Sequence, residues 1–181
     1  MMPSIGILDW HPALDRPQLL AAPVAARLRQ QDLGCYLASI DPELADTSAF
    51  CAAYQVAMSA SANCVVLEGR RGEMVRMAAC LVLATDRADV NRTARKLLDV
   101  RKISFASMET AVRATEMEYG GITPIGLPAD WPLLIDESVA ATDWVVIGSG
   151  LRASKIACPG AALASLPGAQ VLALRQVSAE G

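Results

Sequence analysis

The sequence predicts a mixed α/β fold: a partly closed mixed β-sheet with helices packed outside it. Three observations predict it. Runs with helical apolar spacing and short β-rich runs intermingle along the 181 residues,. They do so without the regular strand–helix–strand rhythm of an all-parallel sheet. A long β-rich hairpin occupies the middle of the chain. There is no internal repeat and no low-complexity linker, so residues 1–181 read as one domain. Within it, 1–34 read as an N-terminal extension with a helix and 35–175 as the body.

Taken in order, Pro17 to Gln31 reads as a helix. Pro17 suits a first turn, and Leu20, Val24 and Leu28 recur at helical spacing,. Gly34 ends that stretch. Cys35 to Ile40 reads as a strand, broken by Asp41-Pro42,. Asp46 or Thr47 can cap a helix through Tyr54, with Phe50, Cys51 and Tyr54 on one face,. Asn63 to Glu68 and Met74 to Ala84 are β-rich and flank Gly69-Arg70-Arg71-Gly72, a turn sequence,. Val90 to Leu98 reads as an amphipathic helix and Ile103 to Ala106 as a short strand. Ser107 caps a helix through Met117,. A glycine-rich turn follows, then three apolar strands: Pro132 to Ile135, Trp144 to Ile147 and Val171 to Leu174.

Composition narrows the class of protein. Apolar residues make up 53% and charged ones 19%, a globular balance,. Aromatics are only 4%, so aliphatic side chains must fill the core. No apolar run reaches the roughly 18 residues a membrane span needs. Met1 to Asp15 carries neither a basic segment nor an apolar one, so no signal peptide is expected,. Cys35, Cys51, Cys64, Cys80 and Cys158 are odd in number and widely spaced, which suits free thiols in a reducing cytoplasm,. A net charge of −3 argues against a protein that wraps nucleic acid non-specifically,. Asp86 to Lys102 departs from that balance, with six cations against three carboxylates. It can be a phosphate-binding patch or a solvated helix face.

The familiar catalytic sets are absent. The single histidine, His11, lies in a start expected to be mobile. No HExxH, phosphate-binding glycine loop or GxSxG occurs, and no Cys/His cluster offers a metal site,. Two glycine-rich stretches are more informative. In Tyr119-Gly120-Gly121-Ile122-Thr123-Pro124-Ile125-Gly126, adjacent glycines permit positive φ and close approach of a ligand to bare backbone,. Free N–H groups in such a bend can stabilise an oxyanion; a plain structural loop is the alternative. In Val146-Ile147-Gly148-Ser149-Gly150-Leu151-Arg152, a strand runs into a turn offering bare backbone and a hydroxyl, or simply a tight turn. Asp136 and Glu137, at a strand end, are candidate site carboxylates or caps,.

In order, Asp46-Thr47, SASANCVVLEG, RRGEMVRMAACLVLATDRADVNRTARKLL, GGITPIGLPADWPLLIDES and VVIGSGLR resemble the YbaK/prolyl-tRNA synthetase-associated editing domains. The resemblance spans roughly residues 35 to 175. Its most specific part is the GGITPIG loop, followed by an IDE strand end and a strand into a glycine turn. It implies a cytoplasmic domain that recognises the aminoacylated 3′ end of tRNA, sometimes alongside an aminoacyl-tRNA synthetase. It also implies removal of small, wrongly attached amino acids. Such domains work without cofactor or metal, through backbone groups, ordered water and the tRNA's own terminal hydroxyl. Carried onto this chain, the loop from Gly120 to Pro124 lies against the aminoacyl group.

Two departures from the family pattern stand out. A lysine usually heads the central strand, where this chain has Asn63 followed by Cys64 and Val65. After the second glycine turn the family often has an aspartate near the position held here by Lys155. Lys155 then either supplies the charge that Asn63 lacks or is an ordinary surface residue.

The resulting expectation is an aminoacyl-tRNA deacylase acting in trans. Asn63, Gly120, Gly121 and Thr123 would be its catalytic set. Ile122, Pro124, Gly126, Asp136, Gly148, Ser149, Gly150, Arg152 and Lys155 would bind substrate. The alternative is a catalytically reduced relative that binds aminoacyl-tRNA, a synthetase or a small aminoacyl ligand without turnover. With no heptad run or long apolar edge, a monomer or weak homodimer is expected.

Overall fold

A two-residue turn at the centre of the chain sets the largest part of the architecture. In the computed structural model, which describes residues 1–177, Gly72 takes φ +62° and reverses the chain with Glu73. The strands on either side pair without interruption from Ala62↔Leu83 to Arg71↔Met74. The turn is therefore shorter than the four residues from Gly69 to Gly72 that the sequence suggests. One positive-φ glycine suffices to close a hairpin, so Gly69 to Arg71 remain strand.

The elements run β1 (His11–Pro12), α1 (Ala22–Gln30), β2 (Tyr36–Ser39), α2 (Thr47–Tyr54), β3 (Ala62–Arg71) and β4 (Met74–Leu83). Then follow α3 (Arg95–Leu97), β5 (Lys102–Phe105), α4 (Met108–Thr115), β6 (Leu133–Asp136) and α5 (Glu137–Ala140). The described chain closes with β7 (Val145–Gly148), β8 (Ser154–Cys158), α6 (Gly160–Leu163) and β9 (Ala169–Leu172). They form two sheets, a four-stranded one ordered β1-β2-β8-β7 and a five-stranded one ordered β5-β3-β4-β6-β9. The larger sheet is mixed, because β6 lies parallel to both β4 and β9. A single parallel bridge, Ser61↔Val146, joins the sheets at the start of β3.

The strand period of two places the core. Ile147 and Ile156 of the smaller sheet face Ala79, Leu81 and Ile135 of the larger one, with Val24 and Leu28 of α1 in the same cluster. The alternate residues Val146 and Ala157 face the other way, onto Phe50 of α2 and Trp10. Behind the larger sheet, Cys80 and Val82 pack on Val90 and Ala94. The start of the chain belongs to this packing. His11 pairs with Leu37, and Trp10, Ala13, Leu20 and Ala21 are buried. The expectation of a mobile start is thus overturned, because these side chains complete both clusters on the smaller sheet.

Several boundaries differ from the sequence reading, each for a local reason. The first helix begins at Ala22, not Pro17. Pro17–Leu19 is a separate 3-10 turn, and Pro23 fixes a second start within the first turn of α1,. Val90–Ala94 is a π turn running into α3, anchored by the Asp89 carboxylate. That carboxylate accepts from Arg92 N at 3.3 Å and Thr93 Oγ1 at 3.0 Å. Two strands are absent from the sequence reading, the short β1 and β8, and β8 is buried at all five positions. Its Ser-Lys-Ile-Ala-Cys run puts a lysine where a doubly covered strand is normally apolar.

Candidate active site

The two glycine-rich stretches interlock, and their interlocking shapes the site. Glu118 N–H donates to Gly150 O at 2.8 Å, Gly150 N–H to Gly121 O at 2.7 Å, and Gly121 N–H to Glu118 O at 2.9 Å. Arg152 stitches the outside. Its Nη1 donates to Tyr119 O at 3.2 Å, its Nε and Nη2 donate to Pro42 O at 3.2 and 3.0 Å, and its backbone N–H reaches Glu118 Oε1 at 3.1 Å. The glycines are needed for this closeness. A Cβ on Gly148 would lie 2.4 Å from Gly121 O, and one on Gly120, whose φ is +88°, would lie 2.2 Å from Arg152 Nη1,.

Beside the first bend opens a cleft of about 410 Å³. Its walls come from both sheets. Asn63, Cys64, Val65 and Val66 of β3 and Phe105 of β5 belong to the larger sheet, and Gly148 and Lys155 to the smaller. Asp46 and Thr47, at the start of α2, and Tyr119, Gly120 and Ile122 of the bend complete it. The volume falls within the range of small-ligand sites.

Lys155 is the buried cation of this cleft. It is 8% exposed and lies opposite Gly148 in the β7–β8 register. Its Nζ donates to Ala45 O at 2.9 Å and sits 5.0 Å above the centre of the Phe50 ring, a cation–π distance,. Burial pushes its pKa down from 10.5 to about 8. The neighbouring Cys51 and Asp46 oppose that shift and Arg152 adds to it,. The group is therefore mainly an ammonium at neutral pH. Asn63 is half-buried and fixed by a 2.5 Å hydrogen bond in which Thr47 Oγ1 donates to its Oδ1. That bond uses the acceptor end of the amide and leaves the amide's donors free to face the cleft.

Five of the residues singled out from the sequence line the cleft: Asn63, Gly120, Ile122, Gly148 and Lys155. The others do not. Gly121 lies behind the bend against the Leu151 backbone, and its N–H is already used. The N–H groups of Gly120 and Ile122 in the same bend have no hydrogen-bond partner among the described residues. Thr123 and Pro124 are buried outside the lining, and Thr123 Oγ1 has no hydrogen-bond partner among the described residues. Gly126, at φ +86°, packs against the backbone of Pro23 and Val24.

Ser149 and Gly150 brace the second turn. The Ser149 hydroxyl donates to Leu151 O at 3.0 Å and accepts from Ser154 Oγ at 2.6 Å. Asp136 is fully buried and caps α5. It accepts from Ser138 N at 3.1 Å, Leu174 N at 2.8 Å and Arg175 N at 2.9 Å, and from the Ser138 hydroxyl. Burial raises its pKa, but these hydrogen bonds outweigh it and the net shift is downward. Arg152 holds the outer rim, 3.6 Å from Asp46, without reaching the lining.

Sequence reasoning missed Phe105, Tyr119, Phe50 and the Ala45 carbonyl. Only the first two carry a local signal, as exposed aromatics (65% and 55%) in a chain with few aromatic residues. The Cys64 thiol also lines the cleft, and burial pushes its pKa up, which makes it a poor nucleophile,. Among the described residues no group of three or more His, Cys, Asp or Glu side chains converges to hold a metal ion, and no helix is long and apolar enough to cross a membrane.

Comparison with known proteins places this geometry. The fold matches the crystal structure of a candidate trans-editing enzyme for prolyl tRNA synthetase. The identity is 21%, the match covers 87% of this chain and 97% of that one, and the TM-score is 0.73. It equally matches a hypothetical protein at 18% identity, over 85% of this chain and 99% of that one, with a TM-score of 0.74. A candidate signal transduction protein from Marinobacter aquaeolei VT8 contains the same fold within a longer chain. There the identity is 18%, the coverage 89% and 32%, and the TM-score 0.56. No match was found among curated proteins. The model of the aminoacyl-tRNA editing domain matches residues 41–166, a span that includes every residue lining the cleft. By that match the chain belongs to the aminoacyl-tRNA editing domain family.

Proposed function

We propose that this protein hydrolyses the ester between a small, wrongly attached amino acid and its tRNA, acting in trans in the cytoplasm. One observation carries the reading. Asn63 from the larger sheet and Lys155 from the smaller one line the same cleft, beside the glycine bend. In this reading Lys155 supplies the cation that the family places at the Asn63 position.

The chemistry asked of the site is modest. Water adds to the ester carbonyl and negative charge grows on the carbonyl oxygen. The bond from the carbonyl carbon to the terminal ribose oxygen then breaks, the proton lost by the water ending on that departing oxygen. The N–H groups of Gly120 and Ile122 and the Lys155 ammonium face that developing charge. In a partly dry cleft they act with little reorganisation. The Asn63 amide donors orient substrate or water. No thiolate is required, in keeping with the raised pKa of Cys64. Positioning of the ester in the cleft carries the rest of the rate.

The test is release of amino acid from a panel of mischarged tRNAs by the pure protein. Turnover is expected with at least one tRNA bearing a small residue, and none with correctly charged bulky residues. A second reading, binding without turnover, is favoured by one observation: an uncharged Asn63 stands where the family has lysine. If that reading holds, the native protein binds charged tRNA without releasing the amino acid, and Asn63→Lys gains activity.

A further inference from the structure

We propose that the basic face at the β5 edge docks the phosphate backbone of the tRNA acceptor strand and leads its end into the cleft. The proposal rests on the editing reading and adds to it a surface that lies outside the cleft. Two adjoining open concavities make up this face. Together they are lined by six cations, Arg70, Arg92, Arg95, Lys96, Arg101 and Lys102, against two carboxylates, Glu68 and Asp99. The whole chain carries −3, so this is a local reversal of sign.

Most of these cations are unspent. Arg70 is held by Glu68 at 2.6 Å, and Asp99 is taken by Arg71 at 2.5 Å. Arg92, Arg95, Lys96, Arg101 and Lys102 are all exposed, and none forms an ion pair among the described residues. A solvated helix face of ordinary kind intersperses charges of both signs. Here the carboxylates within reach are consumed elsewhere: Asp89 anchors the π turn and Asp99 binds Arg71.

The topology connects this face to the cleft. Strand β5 is the edge of the larger sheet, with Lys102 at its basic end and Phe105 at the mouth of the cleft. Three residue steps along the strand separate them, about 10 Å,. That is a distance of a few nucleotides, which suits a single-stranded 3′ end leaving its stem. Phe105, 65% exposed, presents an aromatic surface at the junction on which an unpaired base can stack,. Strand β3 follows the same course, with Asn63 in the cleft and Arg70 on the basic face.

The experiment measures binding of a 5′-labelled, uncharged tRNA ending in CCA, by fluorescence anisotropy across a series of salt concentrations. Arg95→Gln/Arg101→Gln removes two cations shared by both concavities. Arg29→Gln/Arg113→Gln removes two exposed cations outside them. We expect the first double variant to bind at least about tenfold more weakly at 0.1 M salt. Its log–log salt slope should be shallower by about 2. Lys102→Gln alone should shift the slope by about 1. The control pair should match the parent, and the rate at saturating charged tRNA should be unchanged throughout.

A first double variant that binds like the parent overturns the proposal, and so does a parent with no affinity for tRNA. The editing reading fails separately. A parent that binds through this face yet releases no amino acid keeps the docking surface and loses the reaction. A parent that releases it while the double variant keeps its KM loses the docking surface and keeps the reaction.

Discussion

At the scale of single residues, Lys155 departs furthest from its ordinary chemistry. It titrates at about 8, because burial disfavours its charge more than Cys51 and Asp46 restore it, with Arg152 adding to the burial effect. The unfolded chain holds that proton up to about 10.5. Between about 8 and 10.5 the unfolded state therefore binds more protons than the folded one, and stability rises with pH across that window. Below it, the full cost of burying the ammonium is present. Relative to Lys155→Met, the parent should gain up to about 3 kcal/mol of unfolding free energy between pH 7 and pH 10.5. Urea unfolding of both proteins at the two pH values measures this, and a constant difference would show that the amine is not desolvated. Asp136 illustrates the opposite limit of a sequence reading. A carboxylate at a strand end looks like a site residue or a cap, and only burial with three backbone donors shows it to be a cap. Asn63 and Lys155 were legible because each departs from the family pattern at a specific position. Phe50 beneath Lys155 was not, since a helical phenylalanine reads equally well as core.

At the scale of elements, the hairpin, the second half of the sheet and most helices could be read from periodicity, because their strands are uniformly β-rich. Strand β8 could not. Lys155 interrupts its apolar run, and the reason for tolerating a buried lysine, the Ala45 carbonyl and the Phe50 ring, comes from a different part of the chain. The interlock of the two glycine turns was equally hidden. Each turn was visible alone, but their mutual hydrogen bonds join residues about thirty apart. That interlock makes Gly148 a sensitive point. In Gly148→Ala the new methyl would press on Gly121 O and Ile122 O, displacing the bend from the cleft. The expected cost is about 1–3 kcal/mol of stability, with deacylation falling at least about tenfold at temperatures where the variant is folded. Gly72→Ala, in a hairpin turn where a Cβ meets nothing within 4 Å, should lose stability through its positive φ and keep its activity. Equal activity of Gly148→Ala and parent would show that the bend tolerates displacement.

At the scale of the whole molecule, the fold class was legible and the arrangement of sheets was not. A mixed, partly closed sheet was expected. The chain instead builds two sheets meeting at the Ser61–Val146 bridge, and the cleft opens where they meet the glycine bend. Strand pairing between distant segments is set by packing that no local window contains, which is why β2 and β8 were not recognised as neighbours. The division of labour between the sheets is the centre of this account: the larger brings the amide of Asn63, and the smaller brings the charge of Lys155. The most direct test is the single-turnover rate on a mischarged tRNA that the parent clears, with saturating enzyme, for the parent and Lys155→Met. If Lys155 is the cation of the cleft, the variant binds that tRNA as tightly as the parent and releases the amino acid about a hundredfold more slowly. A variant that binds equally well and reacts at the parent's rate would contradict it.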